Sequence, residues 1–237
     1  GSSVLEWLEL IREIDPTIRF YQAGTSEQFG GIPGTEPQDE TTPMCPQSPY
    51  AIGKLAAYHF VRLYRESHDI FACTGILFNH ESPRRGVDFV TRKITLAIAK
   101  IMAGKQEVLK LGNLDAKRDW GFAGDYVRGM WQMLQQDTPD DYVLATGTTT
   151  CVRSFVEAAL RVANRSIVWE GSGVDEIGRD STGTIIVSVD PQFFRPSEVQ
   201  MLLGNPHKAK VKLGWEATTL LEELVVVMMQ SDLNLVR

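Results

Sequence analysis

Cysteine is scarce, no long apolar run is present and positive charge is not in excess; each absence removes a class of protein. The three cysteines, Cys45, Cys73 and Cys151, are odd in number and widely spaced, which argues against a disulfide framework or a clustered zinc site and fits free thiols in a reducing cytosol. We expect no bound metal. No apolar stretch approaches the roughly 20 residues that span a bilayer. The densest, Leu224-Val225-Val226-Val227-Met228-Met229, follows Glu222-Glu223 in what reads as an ordinary helix. No signal-peptide pattern opens the sequence, so the sequon Asn164-Arg165-Ser166 is discounted. The net charge of −6 is the wrong sign for bulk nucleic-acid affinity, because phosphate backbones are held by basic surfaces. The expectation is a soluble cytoplasmic protein with no nucleic-acid or membrane partner.

Internal repeats and low-complexity tracts are also absent, and so is a glycine-rich phosphate-binding turn. The nearest candidate, Gly171-Ser172-Gly173 after Ile167-Val168-Trp169-Glu170, lacks a third glycine at the needed spacing and runs into Asp175-Glu176 and Arg179-Asp180 rather than a helix; it reads as a loop. What is present is alternation of helix and strand patterns. At 237 residues and 43% hydrophobic content, the chain can form one large domain or two small ones. An amphipathic helix over Val4–Ile11 precedes a strand at Ile18–Tyr21. A helix from about Pro49 to Arg65 leads into Phe71–Phe78, whose unbroken apolar character suits a strand buried on both faces of a parallel sheet. Further patterns give a helix over 90–102, a strand over 108–111, a helix over 126–135 and a strand over 142–145. Then come a helix over 154–163, strands over 167–170 and 184–189, and a helix over 220–231. The Gly, Pro and Thr-rich stretch from Gly30 to Pro49 reads as a loop beside the site.

The most chemically suggestive feature is Ser48-Pro49-Tyr50-Ala51-Ile52-Gly53-Lys54, with Thr25-Ser26-Glu27 ending an apolar run upstream. Four residues make about one helical turn, so phenol and ammonium share a face, and a nearby cation favours the phenolate of a group that otherwise titrates near pKa ~10. Taken alone, the spacing describes a tyrosine packed beside a snorkelling lysine at least as well. The basic clusters Arg84-Arg85, Arg92-Lys93 and Lys117-Arg118, with Arg195 apart, each read singly as solvated surface charge.

Longer motifs shift the balance. Phe20-Tyr21-Gln22-Ala23-Gly24-Thr25-Ser26-Glu27, Gly75-Ile76-Leu77-Phe78-Asn79-His80-Glu81-Ser82-Pro83-Arg84-Arg85-Gly86, Leu111-Gly112-Asn113-Leu114-Asp115-Ala116-Lys117-Arg118-Asp119-Trp120-Gly121 and Arg195-Pro196-Ser197-Glu198-Val199 occur in this order. Together with Ser48-Pro49-Tyr50-Ala51, Phe89-Val90-Thr91-Arg92-Lys93 and Asp125-Tyr126-Val127, they resemble the GDP-mannose 4,6-dehydratase family of extended short-chain dehydrogenase/reductases along essentially the whole chain. The resemblance implies an α/β fold: the second half of a doubly wound parallel, Rossmann-type sheet with a smaller α+β substrate-binding domain. Residues 1–82 and 115–147 would belong to the cofactor domain, and 83–114 and 148–237 to the nucleotide-sugar domain. The family's leading strand, glycine-rich turn and helix, which receive the cofactor pyrophosphate, would lie outside this chain.

By the same resemblance, Thr25, Glu27, Tyr50 and Lys54 form the catalytic set and the cofactor is NADP. Tyr50, Lys54, His80 and Arg85 would contact that cofactor. Ser26, Asn79, Lys93, Arg118, Arg195 and Glu198 would face the substrate GDP-mannose, the cations meeting its diphosphate and Glu198 a ribose hydroxyl or the guanine edge. The implied reaction is dehydration to GDP-4-keto-6-deoxymannose, and the implied assembly is a homotetramer in which the loop carrying Arg85 reaches a neighbouring subunit. Two other readings stay open: a non-catalytic truncated paralogue acting as an interaction subunit, and a dehydratase for another nucleotide sugar. The chain departs from the family where it carries Gly24 in place of a common serine, Gln47 in place of a basic residue, and Phe122 and Gly124 in place of histidine and lysine.

Overall fold

The computed structural model describes residues 1–193 and 201–237, so the expectations for Arg195 and Glu198 lie outside the described residues. In chain order the first elements are α1 (Ser2–Ile14), β1 (Phe20–Ala23), a 3-10 turn at Ser26–Phe29, α2 (Pro49–His68), β2 (Ala72–Leu77) and β3 (Asn79–Glu81). Next come α3 (Val90–Met102), β4 (Leu109–Leu111), β5 (Lys117–Arg118), β6 (Trp120–Phe122), α4 (Ala123–Met133) and β7 (Tyr142–Leu144). The remainder comprises β8 (Thr150–Cys151), α5 (Val152–Val162), β9 (Val168–Glu170), β10 (Ile177–Arg179), β11 (Ile185–Val189), α6 (His207–Leu213) and α7 (Leu221–Val236). These elements form two compact units: 1–80, 119–148 and 201–218 make the first, and 81–118, 149–200 and 219–237 the second.

The first unit is built on a parallel sheet of order β1-β2-β7. Phe20 pairs with Ala72 and Ala23 with Gly75, while Gly75 also pairs with Tyr142 and Leu77 with Leu144. All six residues of β2 are buried, as its unbroken apolar run requires of a central strand covered on both faces. Leu8 and Ile11 of α1 seal against Val61 and Tyr64 of α2 together with Ile70 and Ala72. Arg65 of α2 grips Asp141 through two hydrogen bonds of 2.9 and 2.6 Å, and Asp141 also accepts the Thr74 amide at 2.8 Å, locking helix to sheet. On another part of the core Tyr126, Met133, Leu144 and Trp215 are buried together. The Trp215 indole donates to the Asp125 carbonyl at 2.8 Å, and Thr218 donates twice to the Asp125 carboxylate. This long-range packing draws 201–218 into the first unit.

The second unit carries a mixed sheet of order β4-β11-β10-β9. β11 runs parallel to β4, with Val187 opposite Leu109, and β10 is antiparallel to both β11 and β9. Helices α3, α5 and α7 pack on one another through buried Ile94 and Ile98, Phe155 and Leu160, and Leu224 and Met228. One ion pair is sealed inside: Arg92 of α3 meets Asp232 of α7 at 2.7 Å, and Asp232 also accepts from Thr95 at 2.6 Å.

Several expectations need correction. The sequence pattern names no strand between 170 and 184, yet Ile177–Arg179 forms β10 because β9 and β11 supply ladder partners on both sides. α4 begins three residues before the expected 126, and α7 continues to Val236 rather than 231. No helix of the described residues is long and apolar enough to cross a membrane.

Candidate active site

The candidate site lies where β1 ends and α2 begins, within the first unit. β1 leaves the sheet through Gly24, whose amide continues the ladder to the Gly75 carbonyl at 2.8 Å. A side chain at Gly24 would put its Cβ 2.9 Å from that carbonyl oxygen and 2.9 Å from the Thr74 methyl, so the neighbours would have to shift to admit one. The chain then turns at once. Thr25, nearly buried, caps the 3-10 turn in extended conformation, and its Oγ1 accepts the Glu27 amide at 3.3 Å. The turn ends at Gly30, left-handed at φ 70°, a conformation that glycine enters without a Cβ penalty.

α2 starts with Ser48 as its cap, accepting the Ala51 amide at 3.1 Å, and with Pro49 at the first helical position, where a missing N–H is no loss. Ser48 also donates to Glu27 Oε2 at 3.4 Å, so the cap of the helix orients the candidate acid/base carboxylate. Tyr50 follows in the first turn, 55% exposed, and points its ring away from the core. Lys54 lies one turn on, and its Nζ donates to the Ala23 carbonyl at 2.8 Å while standing 5.8 Å from the Tyr50 ring centroid. Half-burial pushes the Lys54 ammonium below the ordinary lysine range. Thr25, Ser26, Glu27, Tyr50 and Lys54 therefore gather at the carboxyl end of a parallel strand and the amino end of the next helix, the place where open α/β sheets carry their ligands. Ser48 and Gln28 join them unanticipated. Gln28 stands three residues after Thr25, a capping-box spacing legible in the sequence.

His80, also in the first unit, is half-buried; its Nδ1 lies 3.0 Å from the Phe78 carbonyl and its ring stacks on Tyr126 at 5.3 Å. Asn79 precedes it in β3, likewise half-buried.

Of the remaining expected residues, Arg85, Arg118 and Lys93 sit in the second unit. Arg85 is folded back onto its own loop, 3.2 Å from Glu81 and 3.6 Å above the Phe89 ring. Arg118 is partly exposed and donates to the Lys117 carbonyl at 2.8 Å. Lys93 stands 3.3 Å over the Phe193 ring and lines a cavity of about 460 Å³ with Val87, Leu96, Lys100, Gln106, Leu109 and Lys110. Burial lowers the Lys93 pKa, and Asp190 opposes that shift. Three lysines, an amide and an aromatic ring around one apolar floor suit a ligand with a planar part and negative charge. Lys100, Gln106 and Lys110 were not foreseen, since each taken singly in the sequence is an ordinary surface residue. No group of three or more His, Cys, Asp or Glu among the described residues could hold a metal ion.

Comparison with known proteins places this geometry in a lineage. The family model described as GDP-mannose 4,6 dehydratase matches residues 1–228. The chain is 54% identical over 218 residues to GDP-mannose 4,6 dehydratase 2 of Caenorhabditis elegans, covering 92% of this chain and 57% of that protein. It is 54% identical over 235 residues to GDP-mannose 4,6-dehydratase of Sinorhizobium fredii, covering 99% and 66%. The human GDP-mannose 4,6 dehydratase is 51% identical over 222 residues, covering 93% and 59%. The chain thus spans less than two thirds of the length of these relatives. Among solved structures, RMD from Pseudomonas aeruginosa complexed with NADPH superposes with a TM-score of 0.83 at 17% identity, covering 98% of this chain and 72% of that one. The dTDP-glucose 4,6-dehydratase of Bacillus anthracis in complex with NAD gives 0.78 at 19% identity, covering 96% and 65%. These likenesses establish a Rossmann-type α/β fold, and the family match with the relatives at about half identity makes the chain a member of the GDP-mannose 4,6-dehydratase family.

Proposed function

We propose that the full-length protein dehydrates GDP-mannose to GDP-4-keto-6-deoxymannose with NADP as a resident cofactor. The observation that carries this reading is the gathering of Thr25, Glu27, Tyr50 and Lys54 at the end of β1 and the start of α2. The residues fit the cofactor: Lys54 directs one of its three N–H donors at Ala23 and retains others for ribose hydroxyls, with Tyr50 on the same helical face. NADP, when bound, supplies the hydride acceptor for C4 of the sugar and the hydride donor for C6.

This chain's own residues move the protons. Tyr50 takes the proton of the C4 hydroxyl as the carbonyl forms, helped by the positive charge of Lys54. Thr25 donates a hydrogen bond to the C4 oxygen. The C4 ketone acidifies the C5 hydrogen; Glu27 removes that proton and gives it to the departing C6 hydroxyl, which leaves as water. Ser48 holds the Glu27 carboxylate for this transfer. The proton on Tyr50 returns to C5 when C6 is reduced, so each side chain ends as it began. Ser26 and Asn79 have supporting contacts to the sugar, and Lys93 and Arg118, with Arg195 and Glu198, bind the GDP portion. His80 and Arg85 are assigned to the cofactor, Arg85 to that of a neighbouring subunit in a cytoplasmic homotetramer.

The test is direct. Purified full-length protein incubated with GDP-mannose and NADP should yield a nucleotide sugar lighter by one water and carrying a 4-keto group. Turnover of deoxythymidine diphosphate glucose in preference to GDP-mannose would redirect the substrate assignment. No turnover of either, with both nucleotides bound, would leave an interaction role.

A further inference from the structure

Gln28 is fully buried, and its Oε1 accepts the Thr25 amide at 3.0 Å. The orientation of this amide is fixed by its partner, because a backbone N–H can only donate and so must face oxygen. Its Nε2 is buried and finds no hydrogen-bond partner among the described residues. An unpaired buried donor is costly. The Gln28 amide also occupies the corner beside Gly24, where an added Cβ would stand 3.0 Å from Oε1. Thr25 is thus pinned twice: its amide by Gln28, its Oγ1 by the Glu27 amide at 3.3 Å. With Oγ1 accepting from the backbone, the direction left for its O–H is set by the turn.

We propose that Gln28 is a positioning residue that fixes the backbone of Thr25, and through it the Thr25 hydroxyl, for donation to the substrate oxygen, with Gly24 leaving room for the Gln28 amide. The inference rests on the dehydratase reading above. A displaced hydroxyl loses its aim without losing the binding contacts elsewhere, and misplacement on the ångström scale costs about 100-fold.

The experiment compares Gln28→Met, Gln28→Glu, Thr25→Ala and the Gln28→Met/Thr25→Ala pair in the full-length protein. Gln28→Met, which keeps the length and loses the acceptor, should lower kcat by about 10- to 100-fold with little change in KM. Gln28→Glu keeps the acceptor and should restore most of the rate. In the Thr25→Ala background, Gln28→Met should add nothing, because it acts through a hydroxyl already gone. Amide exchange at Thr25 should quicken in Gln28→Met and slow again in Gln28→Glu, whether or not the protein turns over substrate. Unchanged exchange, an unimpaired Gln28→Met, or losses that add in the double variant would each overturn the positioning role. An inactive unsubstituted protein would instead overturn the dehydratase reading. Should Gln28→Met fail to fold, a Gln28→Glu variant that folds but loses the rate in full counts against the proposal.

Discussion

In the first unit the chemically interesting side chains are tied to nearby main chain or to a capping hydroxyl: Lys54 to the Ala23 carbonyl, Thr25 to the Glu27 amide, Glu27 to Ser48. In the second unit the cations sort differently. Arg92 is sealed against Asp232 and Arg85 is folded onto Glu81, while Lys93 rests on an aromatic ring at the wall of a cavity. The contrast separates three uses of charge. Groups we propose to act on a bond are held by main chain or a capping hydroxyl at a strand end; groups that hold helices together are buried and neutralised; groups we propose to meet an anionic ligand line a cavity.

If Tyr50 acts as proposed, Tyr50→Phe in the full-length protein should lower kcat by roughly 100- to 10,000-fold while calorimetry still records GDP-mannose binding, the phenol lying outside the cavity that holds Lys93. A parallel loss of binding would erase the division of labour. Next in size is Arg92→Met, which leaves the Asp232 carboxylate buried and unpaired; chemical denaturation should register about 3–5 kcal/mol of lost stability. Burial already raises the Asp232 pKa, so the folded state takes up this proton at a higher pH than the unfolded state does. The penalty should therefore shrink as pH falls from neutral through the folded carboxyl's titration, and a penalty independent of pH would mean that charge burial is not its cause.

Gly30→Ala tests the turn that carries Glu27. At φ 70° the new Cβ would run into the Cys45 carbonyl, and a cost of about 1–3 kcal/mol is expected in the melting free energy. A neutral outcome would show that the turn relaxes freely. The smallest effect is expected for Lys93→Met. Removing one cavity cation should weaken nucleotide-sugar binding about tenfold, or about 1.4 kcal/mol, and leave kcat nearly unchanged; a fall in kcat alone would assign Lys93 to chemistry instead.

Much of the first unit was legible locally. The apolar run of β2, the Ser48-Pro49 start of α2 and the four-residue spacing of Tyr50 and Lys54 state their own geometry, and the structure reproduces it. Thr25 and Gln28 stand at capping-box spacing, a local signal that the expectations above did not use. The rest depends on partners far along the chain. Ile177-Gly178-Arg179 has no strand pattern of its own and becomes β10 between two neighbours. The segment 201–218 joins the first unit because Trp215 finds Tyr126 and Asp125. Lys100, Gln106 and Lys110 come together only when β4 and α3 bring them to one cavity.

We propose that Tyr50 serves oxidation at C4 whereas Glu27 serves elimination across C5 and C6. A single-turnover reaction of Glu27→Gln with GDP-mannose, followed by mass spectrometry and nicotinamide absorbance, tests it most directly. The expected result is accumulation of a 4-keto nucleotide sugar that keeps its C6 hydroxyl, slowed by deuterium at C4, with Tyr50→Phe forming none. Equal loss of C4 oxidation in both variants, with substrate binding intact, would contradict it.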